Sequence, residues 1–128
     1  MDKCRICKII KERSSEILLE NEKFIAISDA HPVTKGHTIV TPKKHVVSFF
    51  DQTDEDEKEL YQFLKELKIV IDKKNSPDGY NIGINDGRAA GRSIDHLHVH
   101  VIPRYSGDIT EPKGGVRNLL GKNAPYES

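Results

Sequence analysis

Residues 96–103 read His-Leu-His-Val-His-Val-Ile-Pro, and this run restricts the fold more than any other stretch. Strict alternation of imidazole with apolar side chains has the period of an extended strand, so Leu97, Val99 and Val101 turn to one face and His96, His98 and His100 to the other. The apolar face requires a core. The imidazole face is an expensive way to make a merely solvated surface, because each ring that gains charge raises the cost of charging its neighbours. With a rise of about 3.3 Å per residue, the rings stand about 6.6 Å apart, a spacing suited to successive parts of one extended ligand such as a phosphate chain. Metal ligation is the alternative, since two histidines at i and i+2 can share an ion. A hydrolytic metal site would recruit a carboxylate or another imidazole nearby, and Asp95 stands at an odd offset, facing the other way.

A strand with one apolar face needs partners and a cover, and the sequence supplies both. Residues 17–20 and 24–28 form two apolar runs around a polar turn, the pattern of a hairpin. Pro32 and Gly36 mark a loop, and residues 37–41 form a third strand that Pro42 is expected to stop. Thr53 is a good helix cap, and Asp54, Glu55, Asp56 and Glu57 load the first turn with negative charge. Leu60, Phe63, Leu64, Leu67 and Ile71 then recur at helical spacing up to Lys73, Lys74 and Asn75. This is the one long helix, and its aromatic ring is packing material. Residues 80–85 alternate again, and Asp86-Gly87 with Gly91 form a loop leading into the histidine run, where small residues let backbone N–H groups approach an anion. A short helix over residues 8–13 completes the set. The order predicts an α+β domain with about five antiparallel strands, one long helix packed on the sheet and a short N-terminal helix.

Length and charge limit the functional classes. The chain has 128 residues, with 20 Lys+Arg against 20 Asp+Glu, so it is one domain by length and has no global electrostatic attraction for nucleic acid or membrane. It has no apolar run of membrane-spanning length, and Met1-Asp2-Lys3-Cys4 is not a signal peptide, so a soluble cytoplasmic protein is expected. Both cysteines fall in Cys4-Arg5-Ile6-Cys7, which in a reducing compartment is a redox pair, two inert thiols or half of a zinc site. Asp29 reads locally as a turn residue at a strand end. Lys43 and Lys44 read as a solvated pair. Residues 109–128, with Pro112, Gly114, Gly115, Lys122 and Pro125, read as a tail or loop, in which residues 113–117 can wrap back onto a phosphate chain.

The run at 96–103 resembles the signature of the histidine triad (HIT) family, three histidines alternating with apolar residues, and it matches that pattern throughout. The resemblance extends to Asp29, Pro32, Gly36-His37 and Pro42-Lys43-Lys44-His45, and to the approach Gly91-Arg92-Ser93. It is closest to the zinc-containing bacterial and archaeal type. The resemblance implies a HIT-like fold over residues 1–108, a homodimer and a nucleotide ligand held at Asp29, His37, Asn85, Gly91, Arg92 and Ser93. Asp29 would bind the ribose hydroxyls, Phe24 and Ile27 would line the base pocket, and His37 would orient the catalytic strand. Asn85 and Ser93 would meet the α-phosphate and leaving group. His98 would attack phosphorus to give a nucleotidyl-histidine, with His100 donating to the developing charge. Cys4, Cys7, His45 and His96 would hold a structural zinc, with no organic cofactor. Arg92 departs from the family, where many relatives carry Gln; a permanent cation there suits a more anionic leaving group. The implied activity is hydrolysis of a dinucleoside polyphosphate with release of a nucleoside monophosphate. Hydrolysis of nucleoside phosphoramidates or adenylyl sulfate is the alternative within the same chemistry. A nucleotide-binding regulatory module with little turnover, and a metallohydrolase using all three histidines, are readings of other classes.

Overall fold

In the computed structural model, which describes residues 4–121, five strands form a single antiparallel sheet in the order β1-β2-β3-β5-β4. They are β1 (Ile17–Glu20), β2 (Phe24–Ser28), β3 (Thr38–Pro42), β4 (Gly79–Gly83) and β5 (Val99–Arg104), with helices α1 (Arg5–Glu12) and α2 (Asp54–Asn75). The β1–β2 turn closes because the Asn21 side-chain oxygen accepts from the backbone N–H groups of Lys23 and Phe24 at 2.9 and 2.8 Å, the local bonding that favours Asn in turns. Lys122 and Pro125 of the expected tail lie outside the described residues.

The two faces of the sheet separate by strand parity. Phe24, Ala26, Val40, Val99 and Val101 pack against Leu60, Phe63, Leu67 and Ile71 of α2. Each large side chain in this layer contributes about 1.5–3 kcal/mol over its exposed state. The helix starts where Thr53 Oγ1 accepts from Asp56 N–H, and it ends at Ser76 in the left-handed conformation, φ 50°. On the opposite face Ile25, Ile27 and Ile39 are buried beneath Ile9 and Ile10 of α1, together with Ile17. Ile39 is paired with His100 in the β3–β5 register, so the imidazole face is this second one.

The structure moves several expected boundaries. The histidine strand begins at Val99 instead of His96. The chain turns at His96, whose N–H bonds Ile94 O, and Leu97 N–H is drawn to Val46 O. The N-terminal helix starts at Arg5 instead of Lys8, because the Cys4 sulfur caps it by accepting from Cys7 N–H at 3.3 Å. Pro42 closes β3 from inside the strand. Phe24 is the main correction: it lies on the α2 face with its ring 5.8 Å from that of Phe63, so it cannot line a pocket on the histidine face. Lys43 is ion-paired with Glu20 at 2.6 Å rather than simply solvated.

Candidate functional site

The three alternating histidines separate into two environments. His96 is fully buried. Its Nε2 lies 2.8 Å from Pro42 O, and because a carbonyl only accepts, Nε2 carries the proton and Nδ1 the lone pair. That Nδ1 is 3.4 Å from both the Cys4 and Cys7 sulfurs. His98 has the opposite tautomer: its Nδ1 lies 2.8 Å from His96 O and must donate, which leaves the lone pair on Nε2. The His98 and His100 rings are 5.2 Å apart between centroids, closer than the extended-strand spacing predicts.

His100 is fixed in turn by a neighbour from β3's entry loop. Val33 N–H donates to His37 Nδ1 at 3.1 Å, so a neutral His37 holds its proton on Nε2, 3.0 Å from His100 Nδ1. His100 therefore accepts at Nδ1 and presents Nε2–H as a donor. Burial pulls both rings below the ordinary imidazole range. For His100 the neighbouring His98 and His37 add to that effect, and in both rings the Asp29 carboxylate opposes it. Asp29 Oδ2 lies 3.5 Å from His37 Nε2 and 3.7 Å from His100 Nδ1, while its other oxygen accepts from His31 N–H at 2.8 Å. The turn role read locally for Asp29 thus coexists with a place beside the histidines.

The loop between β4 and β5 supplies the remaining expected residues. A 3-10 turn at Arg88–Ala90 ends at Gly91, φ 97°, and a Cβ at that glycine would lie 3.7 Å from Asn85 Nδ2. The left-handed conformation favours glycine here, while the space beside it is ordinary contact distance. Arg92 is largely enclosed; its Nε bonds Asp95 at 3.2 Å and its guanidinium lies 4.0 Å from Asp86. Asp86 also accepts from Ser48 Oγ at 3.0 Å and Phe49 N–H at 2.9 Å. The cation that stands out in sequence is therefore shared between two carboxylates that join both sides of the loop. Asp86 and Ser48 were missed in sequence, as were Ile9 and Ile10 of α1, because each acts through a contact distant along the chain.

Cys4, Cys7, His45 and His96 bring one ligand atom each within 4.8 Å of one another. The Cys7 sulfur is 3.4 Å from His45 Nδ1 as well as from His96 Nδ1. Zinc–sulfur and zinc–nitrogen bonds at tetrahedral angles would set such pairs about 3.6 Å apart. Burial and the Cys4 thiol push the Cys7 thiol up, so Cys7 resists ionising unless a cation compensates it. The donor set, the spacing and the Nδ1 lone pair of His96 all fit a closed metal site. Among the described residues the three alternating histidines do not gather around one point: His96 joins the cysteines, and His100 joins Asp29 and His37. No helix among the described residues is long and apolar enough to cross a membrane.

Comparisons with known proteins agree with this geometry. The HIT domain model matches residues 10–107. A HIT-like protein of Methanocaldococcus jannaschii is 43% identical over 120 residues, 91% of either chain. The AP-4-A phosphorylase of Mycobacterium tuberculosis is 34% identical over 100 residues, covering 77% of this chain and 51% of that one. Among solved structures, a HIT family member from Bacillus subtilis superposes with TM-score 0.79 at 34% identity, covering 98% of this chain and 82% of the other. A Zn-bound histidine triad family protein from Mycobacterium smegmatis gives TM-score 0.77 at 34% identity, covering 86% and 81%.

Proposed function

The chain belongs to the HIT domain family, and from that membership we propose that it hydrolyses nucleotides at the α-phosphate, with a dinucleoside polyphosphate as substrate and a nucleoside monophosphate as product. One observation carries the reading: His98 donates from Nδ1 to His96 O, which leaves Nε2 as a base nitrogen held in a fixed orientation.

In the first step the Nε2 lone pair attacks phosphorus in line, the N–P bond forms, and the bond from phosphorus to the bridging oxygen breaks. The leaving polyphosphate departs with that electron pair as an anion. The phosphorylated imidazole is cationic, and its Nδ1–H remains bonded to the His96 carbonyl, which stabilises that charge. Water then attacks phosphorus, the N–P bond breaks back to neutral His98, and the water's surplus proton passes to solvent. His100, presenting Nε2–H, donates to the phosphoryl oxygens where charge accumulates. Asn85, Gly91 and Ser93 assist from the loop, and Arg92 acts by holding that loop to Asp86 and Asp95 as well as by its charge. Asp29 holds the ribose. Ile9 and Ile10 of α1, half-buried over Ile27 and Ile39, offer the base its apolar surface, and Phe24 takes no part.

The relative named AP-4-A phosphorylase supports a dinucleoside polyphosphate substrate. For Cys4, Cys7, His45 and His96 the assigned ligand is zinc, consistent with the Zn-bound relative. Held by these four residues, the metal would serve as a structural cross-link between the α1 entry and the sheet. A cytoplasmic homodimer completes the reading.

The test compares wild type and His98→Asn on diadenosine tri- and tetraphosphate, adenosine phosphoramidate and adenylyl sulfate by chromatography. Release of AMP by wild type alone, fastest from a dinucleoside polyphosphate, is the expected result. Binding without turnover of any substrate would replace the hydrolase with a binding module.

A further inference from the structure

The loop between β4 and β5 carries Asn85, Gly91 and Ser93, the groups assigned to the phosphates, yet residues 88–91 at its tip are exposed and the Arg92–Asp95 bond lies within the loop itself. A contact from outside has to fix the loop against the sheet. The strip of chain from Pro42 to Phe49 supplies one at either end. At the exit, His96 Nε2 donates to Pro42 O at 2.8 Å and Leu97 N–H to Val46 O at 2.6 Å. At the entry the link is one side chain: Asp86 accepts from Phe49 N–H at one oxygen, 2.9 Å, and from Ser48 Oγ at the other, 3.0 Å. Phe49 packs against the core layer beneath α2, and Ser48 Oγ is itself held by Phe50 N–H at 3.1 Å. A carboxylate that takes one donor at each oxygen forms the stronger, charge-assisted class of hydrogen bond.

This clamp fixes the neighbours of Asp86. Asn85 precedes it in the chain. Gly87 follows it, and Gly87 O accepts from both Ala90 N–H and Arg92 N–H at 3.1 Å, closing the turn that brings Gly91 beside the Asn85 amide. The Arg92 guanidinium lies 4.0 Å from Asp86, longer than a hydrogen bond, so its grip is the weaker one. His98 is held from the other end of the loop, through His96 O, and does not depend on Asp86. We propose that Asp86 is a positioning residue: gripped by Ser48 and Phe49, it holds Asn85 and Gly91 at the α-phosphate while the nucleophile is set independently. The inference rests on the hydrolase reading for the phosphate that the loop meets.

The experiment compares Asp86→Ala with Asp86→Asn, with thermal unfolding as the check on folding; Ser48→Ala, which removes one of the two donors, replaces Asp86→Ala if that variant does not fold. Asn keeps an oxygen for Phe49 N–H and an N–H₂ that donates to Ser48 Oγ, whereas Ala keeps neither bond. On diadenosine tetraphosphate, kcat should fall about a hundredfold in Asp86→Ala, the scale of a small misplacement of reacting groups. KM should change little, because ribose and base are met away from this loop, and Asp86→Asn should recover most of the loss. Equal losses in both variants would assign the effect to the Arg92 ion pair and overturn the proposal, as would full activity in Asp86→Ala or a rise in KM alone. A second readout needs no turnover. At saturating AMP the Gly91 amide resonance should shift in wild type and Asp86→Asn and stay in place in Asp86→Ala, and the Ala90 and Arg92 amides should exchange faster in Asp86→Ala while those of β5 keep their protection. An unchanged AMP shift or unchanged exchange in Asp86→Ala overturns the proposal. If wild type turns nothing over, the hydrolase reading falls and this second readout still decides the role of Asp86.

Discussion

His96 takes part in both candidate sites: its ring faces Cys4 and Cys7 while its backbone carbonyl holds the His98 proton. His37 does the equivalent for His100. If these tautomers matter, His37→Phe keeps the nucleophile and loses the proton that fixes His100, and kcat falls about a hundredfold, the lower range for a misplaced general acid–base group. Binding of the nucleotide, read as KM, changes far less. Titration gives an independent check. His37 and His100 have folded pKa values below the ordinary 6.5, so below about pH 6.5 the unfolded chain takes up protons that the native protein does not. Their contribution to stability is therefore fully present above that pH and is lost as pH falls toward the folded values. Thermal unfolding from pH 8 to pH 5 should show this fall in wild type and a shallower one in His37→Phe; identical slopes would contradict it. Sequence patterning located His37 and Asp29 only through family resemblance, because the hydrogen bond between two imidazoles 63 residues apart leaves no periodic signal.

Helix α2 was legible from its residues alone. Thr53, the acidic first turn and the stripe Leu60, Phe63, Leu67 and Ile71 occupy the positions that capping and burial require. β5 was legible in its parity but not in its start, because alternation cannot register that Pro42 O and two cysteines remove His96 from the strand. Phe24 failed because the resemblance grouped it with Ile27, whereas two residues three apart on β2 face opposite sides: Phe24 goes to the α2 layer and Ile27 to the histidine face. The Arg92–Asp86 contact depends on the loop folding back on itself and leaves no signal in the sequence. α1 carries the prediction at this scale. It covers Ile25, Ile27 and Ile39 through Ile9 and Ile10, and its entry is fastened at Cys4 and Cys7. Purified protein should contain one zinc per chain. Cys7→Ser should lose the metal, drop in stability by several kcal/mol and expose α1 amides to exchange while α2 stays protected. Chelator should reduce activity only in step with this loosening. Immediate abolition by chelator would favour a metal-dependent hydrolysis instead.

The whole molecule places its long helix on one face of the sheet and its histidines on the other, and it ends the sheet at β4. That edge is bordered by an apolar cleft of about 560 Å³ lined by Phe49, Leu60, Leu64, Ile84 and the exposed Tyr61 and Ile82. An open strand edge beside such a cleft suits the expected homodimer. Sedimentation equilibrium should give twice the chain mass for wild type and the monomer for Ile82→Glu; a monomeric wild type would discard the dimer and leave the chemistry untouched. The central claim concerns one atom, Nε2 of His98. Rapid quench of a diadenosine tetraphosphate reaction at neutral to alkaline pH, followed by peptide mass spectrometry, tests it directly. The account predicts a transient adduct of one adenylyl group on the peptide bearing His98, formed before AMP accumulates and absent in His98→Asn. AMP release with no adduct, or an adduct on another residue, would contradict it.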